Sequence, residues 1–315
     1  MGQSEFPVWF DGAYVPSSAA VVSVHSAAIT QGAAVFEGIR GYWNPEHQQV
    51  YIFRLTDHIH RLEQSMRLLR ISLPYSISAI EHACLDIIRQ GHIQSDCYLR
   101  PTVFIDHEEQ LLGTLPPFPG RSWVTVEARQ RRTPSQGLHA GVSSWQRITD
   151  HAMPPRIKAN ANYFNSRLAQ VQAHIDGYDQ AIILNEAGKV SELPAACIML
   201  VRDGALITPP VTDNILESIT RSTILQFCRE ELHIPIFERS IDRSELYLAD
   251  EIFGCGTGLE IRSILSVDRL PVGNSQPGPI TTTIQERYFA IVHGQDPRYT
   301  SWCHPVYSSQ AVPTS

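Results

Sequence analysis

Pro155-Arg156-Ile157-Lys158-Ala159-Asn160-Ala161-Asn162-Tyr163-Phe164-Asn165 holds one of only two lysines in a chain of 315 residues that has 23 arginines. Condensation with an aldehyde needs a neutral amine, a task closed to arginine because its guanidinium keeps its proton. A lysine retained here, with a phenol five residues on, is a candidate nucleophile. A GC-rich genome that favours arginine codons would equally leave Lys158 an ordinary surface residue, so scarcity alone does not decide. The residues that follow predict a helix over 161–176. Phe164, Leu168, Val171 and Ile175 fall on one face of it, and Gly177 ends it.

Upstream of this stretch, Arg129-Gln130-Arg131-Arg132-Thr133-Pro134-Ser135-Gln136-Gly137 is polar, basic and broken by Pro and Gly. It reads as a linker over 129–137, dividing a small first domain (1–128) from a larger second one (138–315). The first domain opens with short strands and an Asp11-Gly12 turn. A hairpin follows, with strands over 35–43 and 49–54 around Asn44-Pro45-Glu46. Ile59, Leu62, Met66 and Leu69 form the buried stripe of a helix over 57–70, and Ser78-Ala79-Ile80-Glu81 reads as a capping box opening a helix that Gly91 ends. Strands are predicted at Cys97–Ile105 and 123–128. In the second domain they follow near 140–145 and at 180–184, 189–193, 196–202, 205–209 and 251–256. Helices are expected over 220–232 and 280–293, with a short one capped by Asp242-Arg243-Ser244-Glu245. Runs of strands mixed with few helices make this an α+β protein rather than a doubly wound one.

A net charge of −7 reads against nucleic acid or an anionic membrane as partner. No charged segment leads into an apolar stretch, and no run of eighteen apolar residues occurs, which reads against secretion and membrane spanning. The six cysteines are scattered without a CxxC pair, as expected of a reducing, cytoplasmic compartment. His58 and His60 are two apart and no HxxxH or HExxH occurs, so no metal site is expected.

Three further segments carry chemistry. Glu192, in Val190-Ser191-Glu192, follows a tight turn; facing inward, it can keep a pyridine nitrogen protonated, and facing outward it is a solvated charge. Leu216-Glu217-Ser218-Ile219-Thr220-Arg221 opens a helix whose N-terminus suits a phosphate, or is simply capped by serine or threonine. Gly254-Cys255-Gly256-Thr257-Gly258-Leu259-Glu260 lacks the Gly-Lys-Ser/Thr ending of a nucleotide P-loop and the βαβ setting of a dinucleotide fingerprint. It reads better as a strand-end loop whose backbone approaches an anion.

In this order, these segments resemble the fold-type IV pyridoxal-phosphate enzymes, most closely the branched-chain amino acid aminotransferases. The likeness also rests on Val35-Phe36-Glu37-Gly38-Ile39-Arg40, His58-Ile59-His60-Arg61-Leu62, Tyr98-Leu99-Arg100-Pro101, Ser143-Ser144-Trp145 and Leu246-Tyr247-Leu248-Ala249-Asp250-Glu251, and covers nearly the whole chain. It implies two domains, the second β-barrel-like, and pyridoxal 5'-phosphate as cofactor. By the resemblance, Lys158 forms the Schiff base and shuttles the proton, Tyr163 bonds the ring hydroxyl and Glu192 the ring nitrogen. Arg61, Ile219, Thr220 and Thr257 hold the phosphate. Thr257, Gly258 and Tyr98 take the substrate carboxylate, Arg100 serves a second carboxylate, and Phe36 and Gly38 line the side-chain pocket. The expected partners are an amino acid and a 2-oxo acid, with 2-oxoglutarate as acceptor, and the expected assembly is a homodimer or higher homo-oligomer.

Three departures from the family pattern stand out. Leu193 replaces a small residue beside Glu192, Gln31 stands where a pocket tyrosine is common, and Arg129, Arg131 and Arg132 replace an aromatic-rich stretch. They leave the branched-chain substrate open to a more acidic or polar one. Other chemistries of the same fold stay open as well: aminodeoxychorismate lyase, a D-amino acid or amine transaminase, or an enzyme of specialised metabolism. From other classes, a catalytically silent binding protein and an NAD-dependent oxidoreductase are the alternatives, the latter disfavoured by the missing fingerprint.

Overall fold

A computed structural model describes residues 6–107, 111–130 and 137–307. The chain divides into two units, Met1–Arg131 with Ala290–Ser315, and Arg132–Phe289.

The first unit is built from β1 (Val8–Phe10), β2 (Ala13–Val15), α1 (Ala27–Thr30), β3 (Ala34–Phe36), β4 (Ile39–Asn44), β5 (Gln49–Phe53), α2 (Leu55–Leu68), β6 (Ile71–Ser72), α3 (Ser78–Gln90), β7 (Cys97–Ile105) and β8 (Phe118–Ala128). The predicted hairpin forms with Asn44 opposite Gln49. Long β7 is the centre of the sheet, pairing with β3, β4 and β8. Ile59, Leu62 and Met66 of α2 and Ile80, Cys84 and Ile87 of α3 are buried, as their helical spacing dictates. The expected capping box at Ser78 does not form. Ile77 is the N-cap without a side-chain bond, and Ser78 Oγ turns to Ser76 Oγ instead.

The C-terminal stretch corrects the expected domain boundary. The strand Cys303–Pro305 pairs antiparallel with β5, setting Cys303 opposite Phe53 and Pro305 opposite Tyr51. The side chain of Gln49 also accepts the amides of Val306 and Tyr307. An edge strand presents unpaired N–H and C=O groups that another strand satisfies. Residues 290 onward therefore belong with the first unit, a pairing that no local pattern near 300 announces.

The second unit contains β9 (Leu138–Gln146), α4 (Asn162–Ile175), β10 (Gln180–Leu184), β11 (Val190–Glu192), β12 (Cys197–Arg202), β13 (Ala205–Thr208), α5 (Ile219–Phe227), β14 (Ile236–Glu238), β15 (Glu251–Gly256), β16 (Glu260–Val267), β17 (Leu270–Pro271) and most of α6 (Pro279–Val292). Its sheet runs β11-β10-β9-β16-β15-β12-β13-β14. Strand alternation assigns the two faces of β10. Ile182 joins the main core with Ile198, Leu200 and Ile264, while Ala181 and Ile183 meet Ala169 and Ala173 of α4. Small residues at positions i and i+4 thus let α4 lie close on the sheet. The face predicted to carry Phe164, Leu168, Val171 and Ile175 points the other way, with Phe164 65% and Ile175 80% exposed. Hydrophobic periodicity found the helix but not which side the unit covers. Among the described residues no helix is long and apolar enough to cross a membrane.

Candidate active site

Lys158 lies in the turn-rich segment before α4, and Tyr163 in that helix's first turn. Lys158 Nζ donates to Tyr163 Oη at 2.7 Å. The Asn162 side chain fixes the bend between them by donating to the carbonyls of Pro154 and Ile157. The five-residue spacing thus brings amine and phenol together.

Glu192, at the end of β11, faces inward: its side chain is only 6% exposed. Arg147 Nη2 lies 2.7 Å from Glu192 Oε1, and the Leu216 amide donates to Oε2 at 3.0 Å. A carboxylate withdrawn from water stays ionised when a guanidinium and an N–H replace its hydration. The reading that left Glu192 as a solvated charge is excluded by this burial. Arg147, just past the end of β9, was missed in the sequence, where an arginine in a polar loop has no distinguishing signal. Its Nη1 donates to Ser166 Oγ at 3.2 Å, three residues along α4 from Tyr163. Arg147 therefore ties α4, the helix that carries Tyr163, to Glu192.

α5 begins at Ile219, and Ser218 is its N-cap, accepting the Arg221 amide at 3.2 Å. Ile219 and the buried hydroxyl of Thr220 head the helix. Leu216, bonded to Glu192, is three residues before this helix start. The glycine-rich stretch is the turn of a hairpin, with Gly256 opposite Glu260 and Thr257 and Gly258 at its tip. Gly256 lies against the loop after Glu192. A Cβ there would stand 3.3 Å from the Ala195 carbonyl oxygen and from Ala196, so backbone meets backbone. Leu193 is fully buried in the main core, its Cδ1 only 2.5 Å from where a Cβ on Gly254 would be. This departure fills the core of the second unit, where Leu193 packs in the same cluster as Val190 and Ile198.

The other predicted residues form a group in the first unit. Glu37 is completely buried, and Arg61 binds it in bidentate fashion, Nε to Oε1 at 2.7 Å and Nη2 to Oε2 at 2.8 Å. His58 Nδ1 donates to Oε2 at 2.7 Å. Burial pushes the Glu37 carboxyl toward its neutral form, but the charges and hydrogen bonds of Arg61 and His58 outweigh it and hold the group well below the usual carboxylate range. Glu37 is a second residue that the sequence reading passed over. Its only signal was its place between Phe36 and Gly38.

Gly38 is required by Tyr98, because any Cβ at this position would collide with the Tyr98 hydroxyl. Arg100 stacks over the Phe36 ring at 4.1 Å, and Arg129 over the Tyr98 ring at 4.1 Å. Arg129 also pairs with Glu127 at 2.7 Å, and its carbonyl accepts from Arg40. It packs on an aromatic face while staying partly exposed; Arg131 and Arg132 lie outside the described residues. Gln31 is exposed at the end of α1.

Residues 34–267 match the family model described as amino-transferase class IV. A branched-chain-amino-acid aminotransferase of Escherichia coli (strain K12) is 36% identical over 310 residues, covering 95% of this chain and 97% of that protein. The branched-chain amino acid aminotransferase of Thermobaculum terrenum in its PLP form superposes with a TM-score of 0.91 at 40% identity, covering 96% of this chain and 99% of that one. The T.th. branched-chain amino acid aminotransferase complexed with N-(5'-phosphopyridoxyl)-L-glutamate gives 0.91 at 31% identity, with the same coverage.

Proposed function

We infer the function from one premise: the chain belongs to the class IV aminotransferases. The reaction is transfer of the amino group of a branched-chain L-amino acid (leucine, isoleucine or valine) to 2-oxoglutarate, with pyridoxal 5'-phosphate as cofactor. The relatives named for this activity, one of them in its PLP form and another with a phosphopyridoxyl-glutamate, support it over almost the whole chain. The observation that carries the reading is the 2.7 Å contact between Lys158 Nζ and Tyr163 Oη in the same unit as a buried Glu192 paired with Arg147.

The donor set fits this cofactor. An amine suits the aldehyde, a phenol the ring hydroxyl, a buried carboxylate the ring nitrogen, and a helix start with a threonine hydroxyl the phosphate. When bound, pyridoxal phosphate supplies the aldehyde that takes up an amino group and a ring that accepts an electron pair. Lys158 Nζ would hold the aldehyde and, once released, would serve as the base that takes the proton from the substrate α-carbon and passes it on. Tyr163 Oη orients that amine. Glu192 accepts the ring N–H and keeps its proton in place. Ile219, Thr220, Thr257 and Arg61 are assigned to the phosphate, with Arg61 held rigid by Glu37 and His58. Phe36, Gly38, Tyr98, Arg100, Thr257 and Gly258 are assigned to the substrate.

We place the enzyme in the cytoplasm as a homodimer or higher homo-oligomer. All six cysteines are buried free thiols, which supports a reducing compartment. The outward face of α4, with Phe164, Val171 and Ile175, supports self-association, since an apolar stripe on water is what an interface covers. Ile175→Asp should lower the sedimentation mass if that face is the contact. The activity is tested by offering leucine, D-alanine and an aryl amine, each with 2-oxoglutarate. Leucine should be the best donor, with parallel double-reciprocal lines. A preference for either other donor overturns the assignment.

A further inference from the structure

We propose that Arg147 is the positioning residue that holds the two ends of the cofactor site in register. The proposal rests on the cofactor assignment above and concerns only residues of the second unit. Arg147 and Glu192 form an ion pair whose side chains are 5% and 6% exposed. Each grips the same short segment. Arg147 Nε donates to the Asn214 carbonyl at 3.3 Å, and Glu192 Oε2 accepts the Leu216 amide at 3.0 Å. That segment leads directly into Ser218 and the start of α5. The carboxylate assigned to the ring nitrogen and the helix start assigned to the phosphate are thus stapled by a single guanidinium.

Arg147 is itself fixed on three sides. Its amide donates to the Leu184 carbonyl at the end of β10, and Ile183 of that strand lies opposite Glu192. Its Nη1 holds Ser166 of α4. Asn214 adopts a left-handed backbone (φ 62°) and donates its side chain to Glu186 at 2.7 Å, so the carbonyl that Arg147 uses is also held. A planar fork that bonds a carboxylate, a carbonyl and a hydroxyl at once has no equivalent in lysine. The arrangement keeps Glu192 ionised and aimed before any cofactor arrives. A carboxylate at this depth without a cation would take up a proton instead.

The test compares Arg147→Met, Arg147→Lys, Glu192→Gln and the double variant Arg147→Met/Glu192→Gln. Infrared spectra of the apoproteins at neutral pH read the state of Glu192. Arg147→Met should gain a protonated-carboxyl stretch that the wild type, Arg147→Lys and the double variant lack. Titration with pyridoxal phosphate and with pyridoxal reads the two ends separately. Arg147→Met should weaken pyridoxal phosphate by roughly 10- to 100-fold, the size typical of supporting residues at a bound group. It should also shrink the advantage of the phosphorylated over the unphosphorylated ligand, and lysine should restore only part of the loss. If Arg147→Met does not fold, the double variant, which buries no unmatched charge, should fold and bind no worse than Glu192→Gln. An Arg147→Met protein with no carboxyl stretch and wild-type affinity for both ligands overturns the proposal. So do losses that simply add in the double variant. Failure of the transaminase reading shows separately, as wild-type protein that binds pyridoxal phosphate and leaves leucine untouched.

Discussion

Glu37 in the first unit and Glu192 in the second are each buried against an arginine, and the two pairs are built differently. In the first unit, both partners of Glu37 come from α2, where His58 and Arg61 sit one turn apart. All three side-chain bonds point at one carboxylate, and what becomes fixed is the orientation of Arg61. In the second unit, the partners of Glu192 come from the end of β9 and from the segment before α5, and Arg147 reaches on to α4. There the carboxylate is what becomes fixed. A clamp closed within one helix stabilises locally, whereas a clamp spread over four elements registers them against one another.

The largest effect expected lies in the second region, at Lys158. Lys158→Ala should lower turnover by about 10²–10⁴-fold, the share that a positioned amine contributes as acid and base, in an assay of leucine with 2-oxoglutarate. Its folding should be unaffected, and a variant that keeps turnover ends the case for this lysine. Glu37→Gln probes the first region, where the expected loss is in stability. Removing the charge from a buried pair costs about 3–5 kcal/mol, read as a lower urea midpoint with an unchanged slope.

The same residue gives a pH signature. Glu37 has a depressed folded value, so its contribution is complete above the ordinary carboxylate value of 4.5 and is lost as pH falls toward the folded value. The stability gap between wild type and Glu37→Gln should hold from neutral pH down to that value and narrow below it. A gap independent of pH would mean that the carboxylate charge is irrelevant to the clamp.

Gly38→Ala should cost less, about 1–3 kcal/mol, because its methyl must displace the Tyr98 hydroxyl. The accompanying change should be in the Michaelis constant for the amino donor. The smallest effect belongs to the other lysine. Lys189 makes an exposed ion pair with Asp242 at 2.5 Å, and Lys189→Ala should leave turnover at the wild-type level.

Much of this was legible from residue order alone. The hairpin at 44–49, the strand Cys97–Ile105, the helix carrying Tyr163 and the glycine-ended strand at 251–256 all follow from local period and turn chemistry. The candidate amine was legible because lysine is so rare here that its place stands out. Strand Glu260–Val267 is buried almost throughout and so carries no polar/apolar alternation to read, and the C-terminal strand depends on a partner some 250 residues earlier.

Sequence therefore determined most of the elements, the α+β class, the family and the candidate reactive groups. These depend on contacts a few residues apart and on side-chain chemistry that needs no partner. The tertiary structure alone decided which face of α4 is covered, which carboxylates are buried, and that Arg147 and Glu37 are partners in buried ion pairs. Burial and ion pairing are properties of what arrives from distant parts of the chain. A glutamate carries the same letter whether it meets water or a guanidinium.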